Sequence, residues 1–417
     1  MSNFSMVAPH SKRPVEPDRI FGASKAAQEA AEKYGFENVT NSTIGAMMDD
    51  NGNLIFLDSV MDHIRGLTDA ELAAYAPIAG LPEYLQAVQE ACFRGYEPNG
   101  HIRSVATPGG TGAIKHAVWN YTNFGDAVLT SDWYWAPYKT ICEEHGRDLV
   151  TYNVFREDGN FDIDAFHKAF DALLEKQDQV LVIINAPAHN PTGFSLEDSE
   201  WEEVMQILRK GARNPEKKVV LFADVAYIDF AGTVEETRSF MKYFNDLPEN
   251  LLVLIGFSMS KGYTLYGMRS GAIICVAKTE EIAEEFKAVC SFSNRAAWSN
   301  GTRAAMRTLA DIFSDDALFA KVESEREVFR ELLDKRSGAF MEEAEKIGLK
   351  TCPFKSGFFI SMPCKNPQAV AEEIKKDNLY LVALAKGIRF APCAVSEEKC
   401  RKAPAIIKKA MEALGEI

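Results

Sequence analysis

Val219-Val220-Leu221-Phe222-Ala223-Asp224-Val225-Ala226-Tyr227 is the stretch on which the fold turns. Five apolar residues, two of them β-branched, run straight into a carboxylate. Strand length and the lack of alternation predict a strand buried on both faces, over Val219–Ala223. Two more stretches of this kind flank it: Val180–Asn185 before, and Leu251–Gly256 after. Leu196–Arg209 between the first two reads as a helix. Working outward, Ile102–Ala106, Ala127–Thr130 and Ala272–Val276 read as further strands. Leu81–Gly95, Ala113–Tyr121 and Tyr138–His145 read as helices, the first opened by Pro82. Short apolar strands separated by helices imply an α/β protein with a mostly parallel sheet covered on both faces. In such sheets ligands bind beyond the carboxyl ends of the strands, so the turns that follow the strands are the place to look for chemistry.

After Val276 the pattern becomes long and helical, over Glu280–Val289 and Arg303–Gly338. Strand-like Gly357–Met362 and Tyr380–Leu384 then suggest a second, smaller α/β unit, with seams expected at Gly338 and around Pro353. The first 50 or so residues look irregular apart from one Ala-rich helix near Ser24–Tyr34.

The chain has 417 residues, 47% of them hydrophobic and 25% charged, which is the composition of an ordinary globular protein with a sizeable core. Its formal net charge of −14 disfavours nucleic acid and anionic membrane surfaces as partners. Apolar stretches such as Val180–Ile184 and Leu251–Ile255 are far short of the roughly 20 residues of a spanning helix. Met1 to Pro14 has no apolar run of the signal-peptide kind. Eight scattered cysteines form no C-x-x-C pair. They read as reduced thiols of a cytoplasmic protein, and no ligand spacing supports a metal site.

Four turns carry candidate chemistry. Pro108-Gly109-Gly110-Thr111-Gly112 lies between a strand and a helix, where free N–H groups bind anions and glycine lets a phosphate approach. A plain tight turn would use the same residues. Asn190-Pro191-Thr192-Gly193 follows the strand ending at Asn185, and by itself is turn chemistry. Asp224 and Tyr227 follow the quoted strand. A carboxylate there suggests a cationic partner, a helix N-cap being the common alternative. Ser258-Met259-Ser260-Lys261 follows the strand ending at Gly256. A lysine so close to an apolar strand end loses solvation, and its amine pKa falls toward the ~7–8 of catalytic lysines. Most lone lysines are simply solvated. Eight residues later Arg269 offers a planar fork suited to phosphate. One cofactor needs all these parts at once. Pyridoxal phosphate requires a lysine, a carboxylate for its ring nitrogen, donors for its phenolic oxygen and a phosphate cradle.

Taken together, Thr107–Ile114 (TPGGTGAI), His189–Gly193 (HNPTG), Asp224–Tyr227 (DVAY) and Ser258–Arg269 (SMSKGYTLYGMR) resemble the class I aminotransferases, near the aspartate and aromatic aminotransferase group of the fold-type I pyridoxal-phosphate enzymes. The resemblance runs from about Asn41-Ser42-Thr43-Ile44-Gly45 to Arg389. It implies a large domain with a mostly parallel seven-stranded sheet and a smaller α/β domain built from both chain ends. The corresponding division is 1–65 (arm and part of the small domain), 66–310 (cofactor domain) and 311–417 (small C-terminal domain).

Residue by residue, the resemblance makes Lys261 the lysine that carries the cofactor and moves the substrate proton. Asp224 becomes the partner of the ring nitrogen, and Tyr227 and Asn190 the partners of the phenolic oxygen. Gly110, Thr111, Ser258, Ser260 and Arg269 become the phosphate cradle, with Gly109 beside them. Trp135 aligns with the aromatic that stacks on the ring, Trp133 being the alternative. Tyr138 stands where aspartate aminotransferases usually carry a histidine that supports the ring carboxylate. Tyr75 resembles the tyrosine that reaches the neighbouring subunit's phosphate. Arg389 matches the arginine for the substrate α-carboxylate, and Arg295 the one that binds a distal carboxylate across a dimer interface. Gly45 resembles the glycine that closes over substrate, and Phe359 the aromatic near the α-carboxylate.

The implied activity is a ping-pong transfer of an amino group from an L-amino acid, aspartate or an aromatic one, to 2-oxoglutarate, in a homodimer with shared sites. Two rivals use the same fold: a β-eliminating carbon–sulfur lyase, and a ligand-sensing regulator. Regulators of this kind usually carry a fused DNA-binding module, and this chain has no basic extension of that sort.

Overall fold

The computed structural model describes residues 6–13 and 19–417. The opening segment, expected to hold no leader, lies partly outside them. Twelve strands are present among the described residues: β1 (Thr40–Asn41), β2 (His101–Thr107), β3 (Ala127–Ser131), β4 (Asp148–Tyr152), β5 (Gln179–Asn185), β6 (Lys218–Asp224), β7 (Leu251–Ser258), β8 (Gly271–Ala277), β9 (Ile360–Pro363), β10 (Leu379–Tyr380), β11 (Val382–Ala383) and β12 (Gly387–Phe390).

Seven of them form the central sheet, in the order β2-β8-β7-β6-β5-β3-β4. Only β8 runs against the others, pairing antiparallel with both β2 and β7. The apolar runs behave as buried parallel strands should. Along β5, β6 and β7 the side chains divide between two cores. Val182, Leu221 and Val253 enter one, and Leu181, Phe222 and Leu254 enter the other. Helices close both faces, so these strands are solvent-free on each side. The register aligns the chemistry, pairing Asn185 with Asp224 and Asp224 with Gly256. The carboxyl ends of β5, β6 and β7 therefore end side by side on one edge.

The smaller unit has a core of its own, with Phe340, Ile360, Met362, Ile388, Phe390 and Ile407. Its antiparallel sheet runs β11-β12-β9. N- and C-terminal segments meet where β1 pairs parallel with β10. No helix among the described residues is long and apolar enough to cross a membrane.

Some expected boundaries move. The Gly-rich turn is already helix, since the helix Gly109–Asn120 starts at its first glycine. Glu280–Val289 extends to Ala297. The single helix expected over Arg303–Gly338 is two, Arg303–Ser314 and Asp316–Ile347, divided where Asp315 caps the second through Ala317 and Leu318 N–H. Gly338 brings no break in the backbone, although the core changes around it, from Leu333 to the smaller unit's Ala339 and Phe340. It lies inside the 32-residue helix, which ends at Gly348 in the left-handed region (φ +68°). The strand expected over Tyr380–Leu384 is split into β10 and β11, which join different sheets.

Candidate active site

At the carboxyl edge of the central sheet lies a cavity of about 340 Å³. Gly110, Thr111, Trp135, Asn190, Asp224, Tyr227, Ser258, Ser260, Lys261 and Arg269 line it, all of them expected from sequence. They come from five separate segments, each entering at a strand end.

Lys261 sits in a single helical turn, Met259–Gly262, directly after β7. Its Nζ donates to the Gly45 carbonyl at 2.5 Å and lies 4.7 Å from the centre of the Tyr266 ring. Burial lowers its pKa from 10.5 to about 8; Cys393 opposes this, while Arg389 and Arg269 push in the same direction. The amine is therefore half neutral near pH 8, where a solvated lysine would be almost wholly protonated, and this favours its use as a nucleophile or proton acceptor.

Asp224 ends β6 and is buried. Burial raises its pKa to about 6, against the lowering effect of the Tyr138 hydroxyl and the Ala226 N–H. Tyr138 donates to Oδ2 at 2.6 Å, and Ala226 N donates to Oδ1 at 3.2 Å. Among the described residues no cationic side chain forms an ion pair with Asp224. A buried carboxylate without a cation is poised to pair with a ligand's N–H⁺.

Asn190 joins the two ends of the substrate region. Its Nδ2 donates to the Tyr227 hydroxyl at 3.1 Å, and its Oδ1 accepts from Arg389 Nη1 at 3.3 Å. Arg389 also donates from Nη2 to the Thr43 carbonyl at 2.9 Å and stacks 4.1 Å over Phe359. Its Nε is buried without a partner. Burial pushes the guanidinium pKa down to about 10. A buried guanidinium N–H without a partner is free to receive a ligand's carboxylate. Gly45 packs on the same Phe359, and a Cβ there would stand 2.3 Å from its Cζ.

The opposite pole is an anion cradle. The helix Gly109–Asn120 presents its N-terminus to the cavity, and Arg269 Nη1 donates to Ser260 Oγ at 3.2 Å. Ser258 Oγ accepts from Ser260 N at 3.2 Å. Gly109, at φ +67°, leaves room that a Cβ would take, 2.7 Å from Arg269 Nη2. Helix N-terminus, hydroxyls and a guanidinium together fit a phosphate. With Lys261, Asp224, and Tyr227 with Asn190 between the poles, the residues fit pyridoxal phosphate.

Not every expected residue is here. Trp133 is in the core, so Trp135 is the aromatic at the cavity. Tyr75 is 87% exposed. Arg295, in the last turn of the helix Glu280–Ala297, is exposed and donates to Ser299 Oγ at 2.7 Å. Neither lines the cavity of its own chain. Sequence reasoning missed Asn185 and Tyr266, which do. Asn185 Oδ1 accepts from Asn190 N, and the Tyr266 hydroxyl accepts from Met47 N. The polar end of an apolar strand was the available signal for Asn185, and a place within SMSKGYTLYGMR that for Tyr266.

Fold and site together define an α/β protein with a buried lysine at a site that fits pyridoxal phosphate. Residues 37–407 match the family model described as aminotransferase class I and II. The chain is 28% identical over 315 residues to the aspartate aminotransferase of Escherichia coli, covering 74% of this chain and 77% of that one. It is 27% identical over 284 residues to the aromatic-amino-acid aminotransferase of Pseudomonas aeruginosa, covering 66% and 68%. Among solved structures, an aminotransferase from Anaerococcus prevotii superposes with a TM-score of 0.95 at 39% identity, over 98% of this chain and 99% of that one. The aromatic-amino-acid aminotransferase of Burkholderia pseudomallei, covalently bound to pyridoxal phosphate, shares the fold at TM-score 0.80 and 22% identity, over 98% and 100%. The chain belongs to the class I and II aminotransferases, a family of pyridoxal-phosphate-dependent transferases.

Proposed function

We propose that the protein transfers the amino group of an L-amino acid, with aspartate the expected donor and aromatic amino acids the alternative, to 2-oxoglutarate. The observation that carries this reading is one cavity lined by Lys261, Asp224 and Asn190, with Arg389 hydrogen-bonded to that Asn190.

Bound between the cradle and Asp224, pyridoxal phosphate supplies a carbonyl carbon for the amino group and a protonated ring that takes up electron density from the substrate. Gly109, Gly110, Thr111, Ser258, Ser260 and Arg269 hold its phosphate. Asp224 keeps the ring nitrogen protonated, Tyr227 and Asn190 hold the phenolic oxygen, and Trp135 covers the ring face. Lys261 anchors the cofactor and then serves as the base that removes the substrate Cα proton. Its depressed pKa leaves the amine free to accept that proton. Arg389 grips the α-carboxylate through the N–H that has no partner within the chain, and so orients the Cα–H bond toward Lys261. Phe359 backs the guanidinium, and Gly45 leaves space for closure. The donor's oxo acid leaves before the acceptor enters, which makes the kinetics ping-pong.

The working unit is a homodimer. Tyr75 and Arg295 are exposed, as are Ile78 and Phe292 beside them in sequence, and this supports their service to the partner's site. The 1–65, 66–310 and 311–417 division follows the same reading, and so does a cytoplasmic setting for the eight free cysteines.

A screen of amino donors with 2-oxoglutarate, following glutamate and the oxo acids formed, tests the proposal. Aspartate should lead, and parallel lines in double-reciprocal plots should report the ping-pong order. Release of ammonia and pyruvate without any acceptor would overturn it in favour of β-elimination.

A further inference from the structure

Behind the cavity lies a cluster of charges that the proposed chemistry does not use. Asp229 is in the short turn Ile228–Phe230, Arg238 ends the helix Val234–Arg238, and Arg326 is in the 32-residue helix Asp316–Ile347. Both arginines are buried, and the Asp229 side chain is only 8% exposed. Arg238 Nη2 donates to Asp229 Oδ1 at 2.5 Å. Arg326 Nη1 donates to Glu323, and its guanidinium lies 4.8 Å over the Tyr263 ring. Burial alone would raise the Asp229 pKa, but Arg326 and Arg238 reverse this and hold it below the usual carboxylate value. The cluster closes on one residue. Arg326 Nε donates to the Gly262 carbonyl at 2.8 Å, and a Cβ on Gly262 would collide with Asp229 Oδ2. Gly262 follows Lys261 directly, and Asp229 stands two residues after Tyr227.

We propose that Arg326 and Asp229 are positioning residues that clamp the Lys261 turn, Arg326 through the Gly262 carbonyl and Asp229 by packing on the same glycine. This rests on Lys261 being the cofactor lysine, and extends that reading to groups outside the cavity. The turn needs such support. Met259–Gly262 is a single helical turn, too short to persist by itself, and the last carbonyls of a helix have no partner within it. The Lys261 carbonyl accepts from Thr264 N at 3.0 Å, and the Met259 carbonyl from Leu265 N at 3.3 Å. The Gly262 carbonyl accepts from Arg326. A guanidinium suits the task because its fixed fork serves Gly262 and Glu323 at once. Asp229 supplies the opposite charge without which burying that guanidinium would be costly.

The clamp bears on the chemistry because the Lys261 amine depends on staying buried. Tyr227, Tyr266 and Phe358 face it, and Cys393, Arg389 and Arg269 are the titratable and charged groups that act on it directly. Burial outweighs them all in lowering its pKa. Arg326 reaches the amine through the backbone of Gly262, by keeping the turn packed and water out. The helix that carries Arg326 buries Val322 in the large core and Phe340 in the smaller one. Lys261 is therefore held in register with the element that both units share.

The test follows the rate at which the cofactor-free, full-length protein takes up pyridoxal phosphate as pH is varied, with the thermal unfolding midpoint measured alongside. In wild type the rate should level off above about pH 8. Arg326→Met keeps an unbranched stem of similar length and loses every donor. Its inflection should rise by about one pH unit, which slows uptake at pH 7 roughly tenfold. Arg326→Gln also loses the charge but keeps an N–H donor at the place of Nε, so its inflection should stay near that of wild type. Both variants lose the same charge and should unfold at similarly lowered temperatures, so a difference between their pH profiles reports the Gly262 contact and not stability. Gly262→Ala keeps every charge while its methyl displaces the Asp229 carboxylate, and it should raise the inflection too, even if Arg326→Met does not fold. A wild-type profile in Arg326→Met or Gly262→Ala, or equal shifts in Arg326→Met and Arg326→Gln, would overturn the clamp and leave the role of Lys261 intact. A wild type that takes up no cofactor would overturn the site reading and the clamp together.

Discussion

The central sheet has a cleft at each end, and the larger one is not where the chemistry converges. At the amino ends of the strands an open groove of about 730 Å³ is lined by Tyr121, Gln179, Lys218, Glu249, Glu285 and others. At the carboxyl ends the cavity is about 340 Å³. The charged groups of the larger groove, Lys218, Glu249 and Glu285, are exposed, so water screens them. The smaller cavity encloses Asp224 and Lys261, and burial shifts both pKa values toward neutrality. Strand polarity is the cause. Beyond its carboxyl end β2 passes almost directly into the N-terminus of the helix Gly109–Asn120, and β7 into the turn Met259–Gly262 that carries Lys261 into the cavity. Space alone does not make a site; desolvated groups of complementary charge do.

This contrast can be broken or sharpened by mutation. The largest effect belongs to Lys261→Ala, which should reduce transamination by several orders of magnitude, because anchor and base are lost together. Single-turnover kinetics with the cofactor supplied would measure it. Arg389→Ala comes next. Truncating one member of a buried charge pair should lower kcat/KM for every donor by roughly 30- to several-thousand-fold, alike for acidic and neutral amino acids.

Arg295→Ala should act selectively. It should lower kcat/KM over a similar range for aspartate and glutamate, yet barely change phenylalanine or alanine. Mixing Lys261→Ala with Arg295→Ala protomers should restore dicarboxylate turnover, since one site of the mixed dimer then has both residues. Equal losses for acidic and neutral donors would remove Arg295 from substrate recognition and point to a neutral or aromatic donor.

A smaller effect concerns pH. Lys261 has a depressed pKa, so its reactive neutral form grows as pH rises and levels off above about 8. Uptake of pyridoxal phosphate by the cofactor-free protein should speed up by roughly tenfold from pH 7 to 9 and then plateau. A rate still climbing toward pH 10.5 would mean that the lysine is solvated in solution. The smallest effects belong to the other end of the sheet. Lys218→Ala and Glu285→Ala should leave kcat/KM within about twofold of wild type, as solvated surface charges do. A large loss there would break the contrast between the two ends.

The parts that sequence made legible are those where local pattern and burial agree. β5, β6 and β7 are continuous apolar runs with polar residues at their carboxyl ends, and each was read within two residues of its observed bounds. The cofactor residues lie within a few positions of those ends. The edge strand β4 escaped because it is half-exposed, with only Tyr152 of its five residues buried, so it lacks the apolar signature. The helix Ile163–Lys176 was missed although it buries Phe166, Phe170 and Leu173 on one face. Gly338 suggested a break in the backbone because glycine often ends an element. Here nothing lies within 4 Å of where its Cβ would be, and the helix simply continues through it. The departure at Tyr138 could be noticed in sequence, but its contact with Asp224 depends on how a helix after β3 packs against the end of β6, which local pattern does not encode. Tyr75 and Arg295 do not line the cavity of their own chain, and the role proposed for both lies in a second copy.

The central claim is that Lys261 is the residue that carries the cofactor. Reduction of the pyridoxal-phosphate-loaded protein with borohydride, followed by peptide mapping, tests it directly. The account predicts one labelled peptide, containing Ser258-Met259-Ser260-Lys261, with the label on Lys261. Label on any other lysine, or none on Lys261, would contradict it.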